Sequence, residues 1–504
     1  MNSLYSDQNW EEFLSEKFTA ESFPKKYKHL DIPLRFSLLK SNLHRLLKGK
    51  NDISRHSFLP FIRIKIRTPR FRWDEKKSAF SLSDKKRPIS YSSHLDAAIY
   101  SFYSFVLNRI YLEYIKKYEF DHCVTAYRND LGKKCNIQFA KEIFDIVRTD
   151  YSNNGCSALA LDIKGYFDNI DHSILKNLWM RLIERDSLPE DQYKIFRSIT
   201  NYSYVNLKSF LNHFNIEKNS SEYKSALSLL DLFDNSIGLK TFKDKLNYLR
   251  QARLINRNNN IGIPQGSPIS ALLSNVFMID FDKKLSDKGK ELGFKYRRYS
   301  DDIMIVCETN IVDDLKDLVI EELDRYNLQV NKKKTEIIEF RKDHTDKLRA
   351  FNKVKLDMDR FSVNRKPDHH YYKKLQYLGF EFDGVNITIR PSSISRYFQK
   401  VKKRVSKTIK MAYSDSGKSN KIFKQKLFSR YTHLGKNNFL AYVYKASKSY
   451  YYSKDGDRLE GMGSSKIRKQ LKRHIDVINA DLTRKNIKRI KLKHSKGKLK
   501  LIKN

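Results

Sequence analysis

Cysteine is scarce in this chain: Cys123, Cys135, Cys156 and Cys307 are the only four in 504 residues. They form no CxxC pair and no zinc-ligand spacing, so no disulfide or zinc framework is expected and a reducing, cytoplasmic setting is. Long apolar runs are also missing. Without an 18-residue apolar stretch or an N-terminal apolar signal, the chain is expected to be soluble, with no membrane partner. Acidic residues are outnumbered, 58 Asp+Glu against 99 Lys+Arg, for a net charge of +41. Solubility needs far less, so a polyanionic partner is implied. The excess is uneven: residues 391–504 carry 32 Lys+Arg and 6 Asp+Glu, +26 of the total. That end is expected to be the main nucleic-acid handle, binding with a steep dependence on salt.

What is present is an ordered set of acidic and glycine-rich sites. Tyr299-Ser300-Asp301-Asp302 stands between Lys295-Tyr296-Arg297-Arg298 and the apolar run Ile303–Val306, which predicts a hairpin delivering two carboxylates to one end of a sheet. Upstream, the apolar run Ser157–Leu161 ends on Asp162 and is followed by Ile163-Lys164-Gly165-Tyr166-Phe167. Carboxylates on neighbouring strands can hold two hard divalent cations, the requirement for in-line attack of a 3'-hydroxyl on an α-phosphate. Asp313-Asp314 serves as an internal control, because its flanking residues have helical apolar spacing and predict a solvated helix face. Asp168 and Asp171 are expected to cap or begin a helix.

Between the acidic sites lies Gly262-Ile263-Pro264-Gln265-Gly266-Ser267-Pro268, and after them come Asn331–Glu336 and Leu375-Gln376-Tyr377-Leu378-Gly379-Phe380. In this order and spacing the chain resembles a reverse transcriptase. The resemblance implies an α+β right-hand polymerase, with fingers, a palm built on an antiparallel sheet, a helical thumb and a basic helical C-terminal extension. It implies catalytic Asp162, Asp301 and Asp302, with metal held by these and the Ile163 carbonyl as two Mg2+ ions, Mn2+ being an alternative. Phe167, five residues after Asp162, would lie beneath the incoming sugar and exclude a 2'-hydroxyl, which an apolar ring would leave buried without a partner. Gln265 and Gly266 would approach the nascent base pair, Lys334 belongs to the same nucleotide site, and Tyr377, Leu378 and Gly379 would grip the primer.

Arg87-Pro88-Ile89-Ser90 resembles the first fingers motif, with Arg87 on the triphosphate. A partner lysine is absent from its usual offset near Phe80 or Ser81, leaving Lys85, Lys86 or an unrecognised cation for that role. Arg128, in Ala126-Tyr127-Arg128-Asn129, is expected to touch template or phosphate, and Lys402, Lys403, Arg404, Lys472 and Arg473 to bind nucleic acid. The tyrosine-rich run Tyr442–Tyr452 suggests base stacking or core packing, with a protein-priming tyrosine left unassigned.

The expected organisation is an N-terminal helical extension (1–55), fingers (56–155), a palm (156–390) and a basic thumb and tail (391–504). The palm is expected to include a mainly helical insertion over 173–260, with exposed loops near Asn215–Tyr223 and Asn256–Asn260, and a primer grip over 375–384. Thumb helices are predicted at Val401–Ala412, Lys421–Tyr431 and Ile467–Leu482. Neither a zinc or HNH-like cluster nor a ribonuclease H acidic set is recognised, and the resemblance is nearest to bacterial retron, abortive-infection and defence-associated enzymes. These imply dNTPs, an associated non-coding RNA and a DNA product, with homo-oligomerisation left open. Two other readings stay open: a protein-primed or template-independent DNA polymerase, and an RNA-binding scaffold with an inactive palm.

Overall fold

A computed structural model describes residues 4–23, 25–49, 52–74, 78–151, 155–233, 241–258, 260–359, 368–414 and 422–501. The fold is α+β. The chain divides into two compact units, the first made of Met1–Asp130, Leu161–Met304 and Leu315–Thr335, the second of Leu131–Ala160, Ile305–Asp314 and Glu336–Asn504. The boundary after Asp130 falls inside the segment expected as the fingers, and the others inside the segment expected as the palm.

The first unit contains the long, largely buried helix His94–Lys117, with Ala98, Ile99, Tyr100, Phe102, Phe105, Val106, Tyr111 and Ile115 buried. The Ser93 hydroxyl caps it by accepting the Asp96 N–H at 3.2 Å. The N-terminal helix Asp7–Glu16 packs against it, Phe13 meeting Phe102 edge-on at 5.4 Å. A four-stranded sheet has the order Ala79–Tyr91, Phe61–Asp74, Ser203–Asn206, Ile255–Arg257. The insertion therefore contributes two strands as well as helices, one of them parallel to the fingers strand in the register Phe61↔Tyr204 to Arg63↔Asn206. Beneath this sheet lies a core of Ile62, Val205, Phe210, Leu229 and Leu249. The expected loop at Asn256 is thus corrected to a strand; Asn259 lies outside the described residues.

A five-stranded sheet carries the acidic motifs, in the order Lys295–Tyr299, Asp302–Cys307, Cys156–Asp162, Glu336–Lys342, Leu348–Asn352. In the second unit, Cys156 through Ala160 run antiparallel to Phe340 through Glu336. A three-stranded antiparallel sheet, Leu375–Tyr377, Phe380–Phe382 and Ile387–Ile389, precedes the helix Pro391–Ala412. That helix buries Tyr397, Val401, Val405 and Ile409, a strict i, i+4 stripe. It packs on the helix His474–Leu501, where Lys485 Nζ donates to the Lys402 carbonyl at 2.9 Å and the Tyr413 hydroxyl to Asn486 Oδ1 at 2.7 Å.

The helix expected over Ile467–Leu482 is broken into Ser465–Lys469 and His474–Leu501. The break falls at Gln470, whose side chain is hydrogen-bonded to both backbone groups of Ile389. The expected helix start at Lys421 lies outside the described residues; the observed helix is Gln425–Tyr431.

Candidate active site

Local geometry in the first unit brings the two acidic motifs together. Asp162 ends its buried strand at 9% exposure. The chain then turns, and the Ile163 N–H donates to the Asp301 carbonyl at 2.9 Å, which sets the Asp301 backbone beside the residue after Asp162. Ser300, buried and left-handed at φ +59°, makes the sharp reversal between Tyr299 and Asp301. Burial raises the Asp301 carboxyl above its ordinary range and the charge of Asp162 adds to this; a backbone hydrogen bond, Lys334 and Lys85 act in the opposite direction.

Residues 329–334 close the other side of Asp162. The Asn331 N–H donates to the Asp162 carbonyl at 2.8 Å, Asn331 Nδ2 to the carboxylate at 3.2 Å, and the Lys334 ammonium forms an ion pair with the same carboxylate. Among the described residues no three His, Cys, Asp or Glu side chains stand close enough to form a metal cluster as arranged. The donor set of Asp162, Asp301, Asp302 and the Ile163 carbonyl is nevertheless all oxygen, which suits a hard divalent cation, and the Lys334 charge sits where such a cation would compete for Asp162.

The Gly-Pro loop is docked onto the turn that follows Asp162. Ile263 N–H donates to the Phe167 carbonyl at 2.8 Å and Gly262 N–H to the Ile170 carbonyl at 2.9 Å. Gly262, at φ +78°, has no room for a side chain, since a Cβ there would stand 2.5 Å from the Asp168 carbonyl oxygen. Phe167 is half-buried and edge-on to the buried Tyr166 at 5.7 Å, which leaves part of its ring accessible. The expected capping role of Asp171 is realised, its carboxylate accepting the Ser173 and Ile174 N–H groups at 2.8 and 3.1 Å.

Gly266 approaches the fingers strand closely: at φ +118° a Cβ would stand 2.8 Å from the Ser90 carbonyl oxygen, and the Ser90 N–H donates to the Gln265 carbonyl at 2.8 Å. One expectation needs correction. Arg128 was expected on nucleic acid, yet its side chain is 1% exposed and occupied by Asp130 at 2.7 Å and the Val124 carbonyl at 3.1 Å, so it holds a loop together.

The fingers strand puts the two candidate lysines on opposite faces. Side chains alternate along a strand, and Lys85, Arg87 and Ile89 lie opposite Thr68, Ile66 and Ile64, placing them on one face and Lys86 on the other. The Lys85 charge acts on Asp301, and Arg87 is exposed.

Arg298 and Asp282 escaped the reading of the sequence. Both side chains are fully buried and form a bidentate pair, with Nε to Oδ1 at 2.7 Å, while Arg298 Nη1 donates to the Ser300 carbonyl at 3.1 Å beneath the turn. Strand alternation would have revealed it, since Tyr296 and Arg298 occupy the inward positions.

In the second unit, Tyr377 is buried, and Leu378 at φ +44° with Gly379 at φ +93° forms the tight turn to Phe380, so the two turn residues are the more accessible part of the expected primer grip. Lys402, Lys403, Lys472 and Arg473 are exposed, whereas Arg404 is half-buried. Tyr451 is buried, and Tyr450 and Tyr452 are 47% and 60% exposed.

No curated protein matches this sequence. Among solved structures, apo telomerase from Candida tropicalis truncated from the C-terminal domain aligns at TM-score 0.39 with 11% identity, over 71% of this chain and 61% of that one. Telomerase from Candida albicans in complex with the TWJ fragment of telomeric RNA aligns at TM-score 0.35 with 13% identity, over 95% of this chain and 70% of that one. The chain thus spans less than two thirds of the first of these structures. Residues 75–382 match the family described as reverse transcriptase (RNA-dependent DNA polymerase). Because that match runs through the fingers strand Ala79–Tyr91, both acidic motifs and the Gly-Pro loop and covers well over half of the sequence, the chain belongs to the reverse transcriptase family.

Proposed function

We propose that this protein copies an associated RNA into DNA from dNTPs. The observation that supports this reading is the hydrogen bond from the Ile163 N–H to the Asp301 carbonyl, which sets the backbones of two acidic motifs distant in the sequence side by side. The family uses divalent metal ions. Bound by Asp162, Asp301, Asp302 and the Ile163 carbonyl, two Mg2+ ions, or Mn2+ in their place, would activate the attacking 3'-hydroxyl and steady the leaving group. Lys85 and Arg87 face the triphosphate, Phe167 underlies the sugar, and Lys334 and Asn331 orient Asp162. Replacing Asp301 and Asp302 together by Ala should abolish DNA synthesis and leave RNA binding in place; DNA synthesis that survives the change would refute the assignment. Sequencing the DNA made in cells beside RNA co-purified at low salt identifies the template.

The cellular setting we infer is bacterial anti-phage defence, of the retron or abortive-infection type. The exposed basic helices of the C-terminal segment, suited to a structured RNA, support it. Unpaired cysteines agree with a cytoplasmic location, and among the described residues no helix is long and apolar enough to cross a membrane. Phage plating on cells carrying the active protein or its Asp301→Ala variant tests the role; equal plating would remove it. A second reading, priming by a protein hydroxyl, is favoured by the exposure of Tyr452 and Tyr450. A nucleotide adduct on tyrosine, sought by mass spectrometry of active enzyme, decides it.

A further inference from the structure

Tyr127 combines features that a purely structural residue has no use for. Its backbone is left-handed at φ +62°, a conformation unfavourable for a bulky side chain, yet the residue is 45% exposed. Burial of the ring therefore does not explain the strain. Strained residues persist where the surroundings over-determine them, and they cluster at functional sites.

The surroundings here do over-determine it. On the N-terminal side, the Thr125 N–H and hydroxyl both donate to the Arg298 carbonyl, at 3.0 and 3.1 Å. Asn275 Nδ2 donates to the Ala126 carbonyl at 2.9 Å. On the C-terminal side, the buried Arg128 guanidinium ties the loop to Asp130 and the Val124 carbonyl, and Asn108 Nδ2 donates to Asn129 Oδ1 at 2.7 Å. The Tyr127 hydroxyl itself donates to the Ser300 hydroxyl at 3.1 Å, inside the turn that presents Asp301 and Asp302. A clamped loop thus holds one open aromatic ring against the catalytic turn.

We propose that the Tyr127 ring is a contact site for the primer's 3'-terminal nucleotide, packing on its base and sugar. The inference rests on the polymerase reading of the same site. A polymerase must accept four different bases at the primer end, and a π-face does so because every base offers one, whereas hydrogen bonds to base edges would discriminate. The bond to Ser300 fixes the ring relative to the turn that must meet the 3'-hydroxyl.

Tyr127→Gly and Tyr127→Asn remove the ring and suit the left-handed backbone, so both variants should fold. The probe is a synthetic RNA template annealed to a fluorescent DNA primer, titrated without dNTPs and then extended. Both variants should weaken primer–template binding by about tenfold, the order expected for one lost stacking contact, with the KM for dNTP and the melting temperature nearly unchanged. Tyr127→Phe should bind close to wild type. The proposal is overturned if the ring-less variants bind as tightly as wild type, if the loss lies in the KM for dNTP, or if Tyr127→Phe loses as much as Tyr127→Gly. A wild-type protein that binds the duplex but extends no primer would sink the polymerase reading instead, and the binding titration would still judge Tyr127.

Discussion

Asp301-Asp302 and Asp313-Asp314 are the same dipeptide in two settings. The first pair follows a left-handed Ser300 in a strand turn, is half-buried, and has Asp301 beside the charge of Asp162. The second lies in the first turn of the helix Val312–Asp324, exposed, with Asp313 facing Lys353 at 3.5 Å. Acidic residues near a helix start complement its dipole and need no other reason to be there. Burial makes the Asp301 carboxylate hard to solvate, which the proposed chemistry asks of the first pair and not of the second.

Changing each pair in turn sharpens this contrast, and gives the largest expected effect. Asp162→Asn or Asp301→Asn should slow primer extension by about a thousandfold or more, equivalent to ~4 kcal/mol of cation-mediated stabilisation. Asp313→Asn with Asp314→Asn should stay within about twofold, as a solvated surface change does; parallel extension rates check both. Next comes the support beneath the turn. Arg298→Met should cost about 3–5 kcal/mol by leaving Asp282 buried and unpaired, and adding Asp282→Leu should restore much of the loss, as read from denaturant midpoints. Equal stability of the single and double variants would show that the pair is not the turn's foundation.

Gly262→Ala should cost about 1–3 kcal/mol, because the added Cβ must move the Asp168 backbone or abandon its φ; thermal unfolding measures it. The smallest effect separates two kinds of basic residue. Lys402→Ala with Lys403→Ala should leave stability alone and reduce the salt slope of RNA binding by about one per cation removed. Arg128→Ala should instead lower the melting temperature and leave that slope as it was.

Much of this was readable beforehand because it is local. The strand ending at Asp162 and the hairpin at Asp301 each follow from short-range pattern and turn chemistry. The strands Ser203–Asn206 and Ile255–Arg257 were not, since three or four residues carry no usable periodicity and their pairing to a distant strand is decided by tertiary contact. Charge misled in the same way at Arg128: composition marks a cation as a phosphate ligand, and only the carboxylate and carbonyls around it reveal that it is already occupied.

Gln470 has a consequence outside catalysis. Ile387–Ile389 is the outer strand of its sheet, where open backbone groups would invite a strand from another molecule. The Gln470 side chain accepts the Ile389 N–H at 2.8 Å and donates to its carbonyl at 3.0 Å, while the Ser464 hydroxyl donates to the Ile387 carbonyl at 2.7 Å. Two side chains thus imitate a missing fourth strand. This seals the margin against addition of a strand from another copy of the chain.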